Sequence, residues 1–213
     1  MTNEMEDTMK NKTNSEIFDI IRKLGSIDYI DPDEIPNIAL YMDQITTFMD
    51  ANLADSKRSE DDKILTKTMI NNYTKNDLLP PPVKKKYSKE HIYLLIFIYY
   101  LKNMMTISDI QTIIKPLSDM FYGKDGDLSL EEIYLRIFQM EEKHSNYVTQ
   151  DIMKRFKDSK NIFPEIKDEK QRDYLSQFAF MCMLSYDIYM KKSLIERMVD
   201  TTLQEFQKKD DVK

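Results

Sequence analysis

A chain of 213 residues with 31 basic and 37 acidic side chains is long enough to bury one sizeable core or two small ones. Three glycines and seven prolines, set among many Leu, Ile, Lys, Glu, Met and Tyr residues, predict an all-α protein. The single cysteine, Cys182, excludes a disulfide framework or a thiolate metal site within one chain, and its apolar neighbours predict a small buried hydrophobe. Met1–Asn14 lacks the apolar core of a secretion signal, and the longest apolar run, Ile92–Leu101, is half the roughly 20 residues needed to cross a bilayer. A cytoplasmic protein without membrane contact is expected.

In chain order, Met1–Asn14 reads as a polar, unstructured tail. Ser15 caps a short amphipathic helix carrying Ile17, Phe18, Ile20, Ile21 and Leu24, ended at Gly25. Asp31–Pro36 is a turn that starts a second helix, Asn37–Leu53, with apolar residues at helical spacing. Ala54–Asp62 is a polar, charged connector. The third helix runs from its cap Thr66 to Leu79 and is stopped by Pro80, Pro81 and Pro82. Lys84-Lys85-Lys86-Tyr87 suits a tight β-turn. Ser88 opens helix four, which continues to Met104; Thr106 or Ser108 caps helix five, Asp109–Met120. The remaining segments, Leu128–Lys143, Tyr147–Phe156 and Lys170–Lys208, are predicted as separate helices. Tyr174–Met190 is apolar nearly all round and is expected at the centre of a C-terminal bundle.

The most informative stretch is Lys63–Lys89. It holds seven lysines (Lys63, Lys67, Lys75, Lys84, Lys85, Lys86, Lys89) against one acid, Asp77. The rest of the chain has 24 basic and 36 acidic residues, so a local +6 stands within an acidic protein. Such an island is the electrostatic footprint of a polyanion site. At about 100° per residue, Leu65, Met69, Ile70 and Tyr73 gather on one side of helix three. Lys67, Thr68, Asn71, Asn72, Thr74 and Lys75 take the other, which carries no acid. Asn can pair bidentately with adenine in a major groove, and lysines on the following loop suit phosphates.

No enzymatic constellation stands out. His91 and His144 lack a nearby nucleophile or metal-ligand spacing; His91 reads as a packing or phosphate-contacting residue, His144 as a surface one. Lys124–Glu132 superficially resembles a calcium loop, but with Gly126 at loop position six, Phe121 and Gly123 fall where carboxylates are required. Met181, Met183, Tyr186, Tyr189 and Met190 are read as core, with an effector cavity or a dimer interface as the alternatives. Leu194, Ile195, Met198, Val199, Leu203 and Phe206 form an apolar stripe suited to pairing with a second copy or to packing onto Tyr174–Met190.

The segment from helix three to helix five resembles the MerR-type winged helix–turn–helix. The resemblance rests on the cap Thr66, on Ile70, Tyr73, Leu78, Leu79 and the three prolines, on Tyr87-Ser88, and on Ser108-Asp109-Ile110. More closely, the chain is similar to a family of MerR-like regulators known as domain of unknown function 1836, over roughly Ile35–Ile114. It departs from the MerR pattern at Asn71 and Asn72, where Arg and Tyr are usual, at Asp77 in place of a glycine, and in a shorter wing. The metal-sensing cysteines of MerR proteins are absent, so metal sensing is not implied.

The resemblance implies a MerR-like helix–turn–helix with a short β wing at 35–120. It follows a flexible tail and short helix at 1–34 and precedes a helical dimerisation or effector domain at 121–213. The expected function is non-enzymatic: sequence-specific recognition of double-stranded DNA as a transcriptional regulator, with repression the base expectation. The expected DNA-binding residues are Thr66, Lys67, Thr68, Asn71, Asn72, Tyr73 and Lys75 on the helix and Lys84, Lys85, Lys86 and Tyr87 on the wing. A homodimer and an unidentified small-molecule effector are the expected partners, with no cofactor. The competing reading is a protein-interaction module that docks an acidic partner through the basic face.

Overall fold

The computed structural model describes residues 16–23 and 30–203. The expected tail, the cap Ser15, Leu24, Gly25 and the distal part of the last helix, Phe206 included, lie outside the described residues. The chain is mostly helical. A helix at 16–23 (α1) is followed by a single turn at Pro32–Glu34, β1 (Leu40–Tyr41), α2 (Met42–Asn52) and α3 (Lys67–Lys75). Then come β2 (Lys86–Tyr87), α4 (Lys89–Lys102), α5 (Ile107–Phe121), α6 (Leu130–Ser159) and α7 (Glu169–Met198), which ends in a wider turn at Val199–Leu203. Two compact units divide the chain. Among the described residues, one holds 30–138 and 192–203, and the other holds 16–23 and 139–191.

In the first unit α4 is the pillar. Ile92, Tyr93, Leu94, Leu95, Ile96, Ile98 and Tyr99 are all buried, so this helix is apolar around its whole circumference and must be surrounded. Ile45 and Met49 of α2, Ile70 and Tyr73 of α3, Tyr87 of β2, Ile110 and Ile114 of α5, and Leu130 and Tyr134 at the start of α6 share its core. Fully burying one such side chain contributes about 1.5–3 kcal/mol, and this cluster dominates the unit. The core therefore extends past Met120, because Leu130 and Tyr134 belong to it. Val199 is buried in the same core, with Ile195 packed against it. Part of the apolar stripe is thus taken up here, on the α4 core, rather than on Tyr174–Met190.

The helix expected from Asn37 begins at Met42. Residues 40–41 pair antiparallel with 86–87, Leu40 opposite Tyr87 and Tyr41 opposite Lys86. The Tyr41 amide then donates to Gln44 Oε1 at 2.9 Å, which caps α2. Thr66 caps α3 as expected, its Oγ1 accepting from the Met69 amide at 3.1 Å. The same holds for Thr106 on α5, whose Oγ1 accepts from the Asp109 amide at 3.2 Å.

The third helix ends at Lys75, not at Leu79, and the cause lies before the prolines. Asp77 takes a left-handed conformation, φ +54°. The Leu78 amide donates to Tyr73 O at 2.9 Å, and the Asp77 amide donates to Thr74 O at 3.3 Å. These two bonds form a Schellman cap. Leu78 and Tyr73 are both buried, which supplies its usual apolar contact.

In the second unit Ile21, Phe156 and Phe180 form a small core, with Ile17, Phe18, Ile152, Met153 and Leu184 packed against it. The separate helices expected at Leu128–Lys143 and Tyr147–Phe156 are one continuous helix, α6. His144-Ser145-Asn146 contains no Gly or Pro to interrupt it. The expectation that Tyr174–Met190 is a central buried helix is overturned: of α7, Ser176 and Phe180 are buried, while Tyr174, Phe178, Met181, Tyr186, Ile188, Tyr189 and Met190 are at least half exposed. Cys182 is likewise exposed. Among the described residues no helix is long and apolar enough to cross a membrane.

Asp77 generates a test. A non-glycine residue in the left-handed region is strained, so Asp77→Gly is expected to raise stability by about 0.5–1 kcal/mol. Asp77→Val, β-branched at positive φ, is expected to lower it by about 1 kcal/mol or more. Urea unfolding midpoints of the two variants would read the opposite signs.

Candidate nucleic-acid interface

Burying Ile70 and Tyr73 against α4 turns the polar residues of α3 outward. Lys67, Thr68, Asn71, Asn72 and Lys75 are all exposed, and Thr66 is half-buried. Five of the expected contact residues thus share one accessible helical face. Two others do not. Tyr73 and Tyr87 lie in the core, 5 % and 2 % exposed, and burial pushes both phenols above their usual pKa. Neither ring can reach a bound ligand. The Thr74 side chain beside the Tyr87 hydroxyl partly offsets that push.

Between α3 and α4 the chain makes a two-residue hairpin. The Val83 amide donates to Lys86 O and the Lys86 amide to Val83 O, both at 3.0 Å. Lys84 and Lys85, at its tip, have φ +50° and +65°, the pattern of a type I′ turn that normally calls for Asn-Gly. Two lysines in that place cost about 1–2 kcal/mol each in backbone strain. Both are exposed, and among the described residues neither forms an ion pair. The hairpin thus holds two solvent-facing cations in a strained backbone conformation.

The other lysines of the window are partly spent within the fold. Lys67 pairs with Asp43 of α2. Lys89 pairs with Glu131 at 2.7 Å, and Lys86 stands 4.9 Å over the Tyr41 ring. The Lys67 pair is well exposed on both sides, so it is worth about 0–1 kcal/mol and a competing anion can displace it. Beside the N-terminus of α3 lies an open cleft of about 600 Å³ lined by Asp50, Glu60, Asp61 and Asp62 together with Lys57, Lys63 and Lys67. These acids make the N-terminal end of α3 less attractive to a polyanion than its C-terminal half and the hairpin.

His91 fixes the hairpin root. Its Nδ1 accepts from the Ser88 amide at 2.9 Å, which leaves the proton on Nε2 to donate to Pro80 O at 3.1 Å. The ring is held edge-on between Tyr87, centroids 5.3 Å apart, and Tyr122, 4.9 Å apart. The imidazole therefore bridges the two ends of the hairpin segment and is itself buried. The Gly123 amide, just after α5 and at φ +62°, donates to Glu90 Oε1 at 3.1 Å, fastening α5 to the first turn of α4. Sequence reasoning missed two contributors to the site: Tyr41, which supports Lys86, and Gln111, whose Nε2 donates to Asn76 O at 3.0 Å behind α3. Both contacts join residues more than thirty positions apart, and no local signal marks them. Among the described residues no group of three or more His, Cys, Asp or Glu side chains could hold a metal ion.

Burial holds the His91 pKa below its usual value, only partly opposed by the hydrogen bonds to Pro80 and Pro81. The neutral ring thus stabilises the fold fully above the unfolded imidazole value of about 6.5. That contribution is lost as pH falls from there through the lower folded value, since the unfolded chain then binds the extra proton. Thermal stability is expected to drop between about pH 7 and 5, and His91→Gln, less stable at pH 7, is expected to show a smaller drop. Melting temperatures of both proteins across that range would test it.

No curated protein and no solved structure matches the chain. One family does, described as a domain of unknown function (DUF1836), and it matches residues 30–138. That range closely follows the first segment of the unit built around α4. Over more than half its length, then, the chain belongs to the DUF1836 family.

Proposed function

We propose that this protein is a non-enzymatic, sequence-specific double-stranded DNA-binding regulator of MerR-like winged helix–turn–helix type, acting as a repressor. In this reading α3 enters the major groove and the 83–86 hairpin holds the flanking phosphates. The observation that carries it is the pairing of an exposed, acid-free helical face with a hairpin whose two tip residues are strained, exposed lysines. The chain order of strand, two helices, hairpin and helix supports the MerR-like assignment. Asn71 and Asn72 are the side chains suited to base edges, each bidentate pair contributing about 1–3 kcal/mol of discrimination. Lys75, Lys84, Lys85 and Lys86 suit phosphates, which give affinity without sequence information. A homodimer reading two half-sites one helical turn apart would supply the specificity that one short helix lacks.

Binding to genomic duplex fragments is expected to be strongly salt dependent. With about four phosphates neutralised per protomer, log K falls against log salt with a slope of roughly −3 to −4. No binding at low salt would overturn the reading and favour docking of an acidic protein through the same face.

Variants separate the roles. Asn71→Ala or Asn72→Ala is expected to narrow the gap between specific and random duplexes by about 1–3 kcal/mol. Replacing Lys84 by Asn and Lys85 by Gly is expected to weaken binding to all duplexes alike while raising fold stability, because that pair suits the turn. Fluorescence anisotropy and thermal melts on the same samples would detect these opposite effects. A hairpin variant with unchanged affinity would contradict the assignment.

A further inference from the structure

At the root of the hairpin lies a further cavity, of about 460 Å³, within the roughly 300–1,000 Å³ of small-molecule sites. Its apolar lining is Ala39, Val83 and the rings of Tyr41 and Tyr122, and its charged lining is Lys84 and Lys86. Among the described residues no acid lines it, whereas four acids accompany three lysines in the cleft beside the start of α3. Glu90, whose charge reaches the Tyr122 phenol, is bonded to the Gly123 amide at 3.1 Å and is not part of the lining. Two of the walls are fixed from behind. The buried His91 ring holds Tyr122 edge-on, centroids 4.9 Å apart, and Lys86 stands 4.9 Å over the Tyr41 ring. Two flat rings and two ammonium groups thus border one space, and among the described residues neither lysine forms an ion pair.

We propose that this cavity binds a small aromatic carboxylate. The ligand's ring packs on Tyr41, Tyr122 and Val83, and its carboxylate takes charge-assisted hydrogen bonds from Lys84 and Lys86. The lining sets this class. An inorganic anion would leave the apolar walls unfilled, and a neutral aromatic would leave both ammonium groups without a counter-charge. A consequence follows for the hairpin. Lys84 and Lys86 are the cations assigned above to phosphates, so an occupied cavity withdraws both from a duplex. That consequence rests on the DNA-binding reading; the ligand site itself does not.

The test titrates 2-naphthoate into the isotope-labelled full-length chain at low salt, where exposed charges are least screened. Saturable shifts are expected at Ala39, Val83, Lys86 and Tyr122, with a Kd on the order of 1 mM or tighter for a probe of this size. Lys86→Gln is expected to weaken binding about fivefold. Val83→Asp, a change at a 68 % exposed position that leaves the hairpin's backbone bonds in place, sets a carboxylate against the ligand's own. It is expected to weaken binding about tenfold or more. Lys63→Gln, in the other cleft, is expected to change nothing. A probe that does not saturate, or whose shifts centre elsewhere, overturns the proposal. So does inorganic phosphate that matches 2-naphthoate, or a Val83→Asp chain that binds the probe undiminished. Repeating the titration with a duplex present separates the two readings. Release of the duplex supports the shared use of Lys84 and Lys86, and undiminished binding of both at once overturns it. A chain that binds 2-naphthoate as expected but no duplex supports the ligand site and fails the DNA reading alone.

Discussion

The residues from Ile92 to Tyr99 have only one way to avoid water, which is to have neighbours on every side. This requirement organises the unit that carries the family match. Helix α3 contributes Ile70 and Tyr73 to the enclosure, so its remaining residues point outward. The two-stranded pair contributes Leu40 and Tyr87, so the hairpin between α3 and α4 is held at its base. Helix α5, the start of α6 and Val199 close the rest. His91 is the polar exception on the pillar, and it is satisfied by bonds to both ends of the hairpin segment. The exposed face and the cationic tip are thus consequences of the packing of α4.

Within that frame the charges were only partly legible from the chain. The Lys63–Lys89 window counts +6, yet Asp43 and Glu131, distant in sequence, come back to pair with Lys67 and Lys89. The acids at 60–62 border the same end of α3. The free positive charge shifts towards Lys75 and the hairpin tip. A window sum cannot see this, because ion pairs follow the fold and not the chain.

Features set by neighbouring residues are legible in the chain. Thr66 and Thr106 are caps defined by the side chain and the next turn, and the continuous apolar run of α4 leaves little choice but burial. Events decided elsewhere were missed. The pairing of Leu40–Tyr41 with Lys86–Tyr87 crosses more than forty residues and overrides the helical spacing of Asn37–Leu53. The end of α3 depends on Asp77 adopting a conformation that glycine usually takes, which residue type alone does not announce. On α7 the limit is different: composition makes a helix apolar but does not say whether the rest of the chain covers it, and Tyr174–Met190 is largely exposed. Within the site, Tyr73 and Tyr87 were overcounted because aromatic residues beside a basic patch suit both a core and a ligand.

Mapping where a duplex touches the protein tests the central claim most directly. On titrating a specific DNA duplex into isotope-labelled protein, the account predicts amide and side-chain shifts concentrated at Thr68, Asn71, Asn72 and Lys75 and at Val83–Lys86. It predicts little change in the acid-lined cleft at residues 60–62 or along Tyr174–Ile188. Shifts centred on that cleft or on α7, with α3 and the hairpin silent, would contradict it.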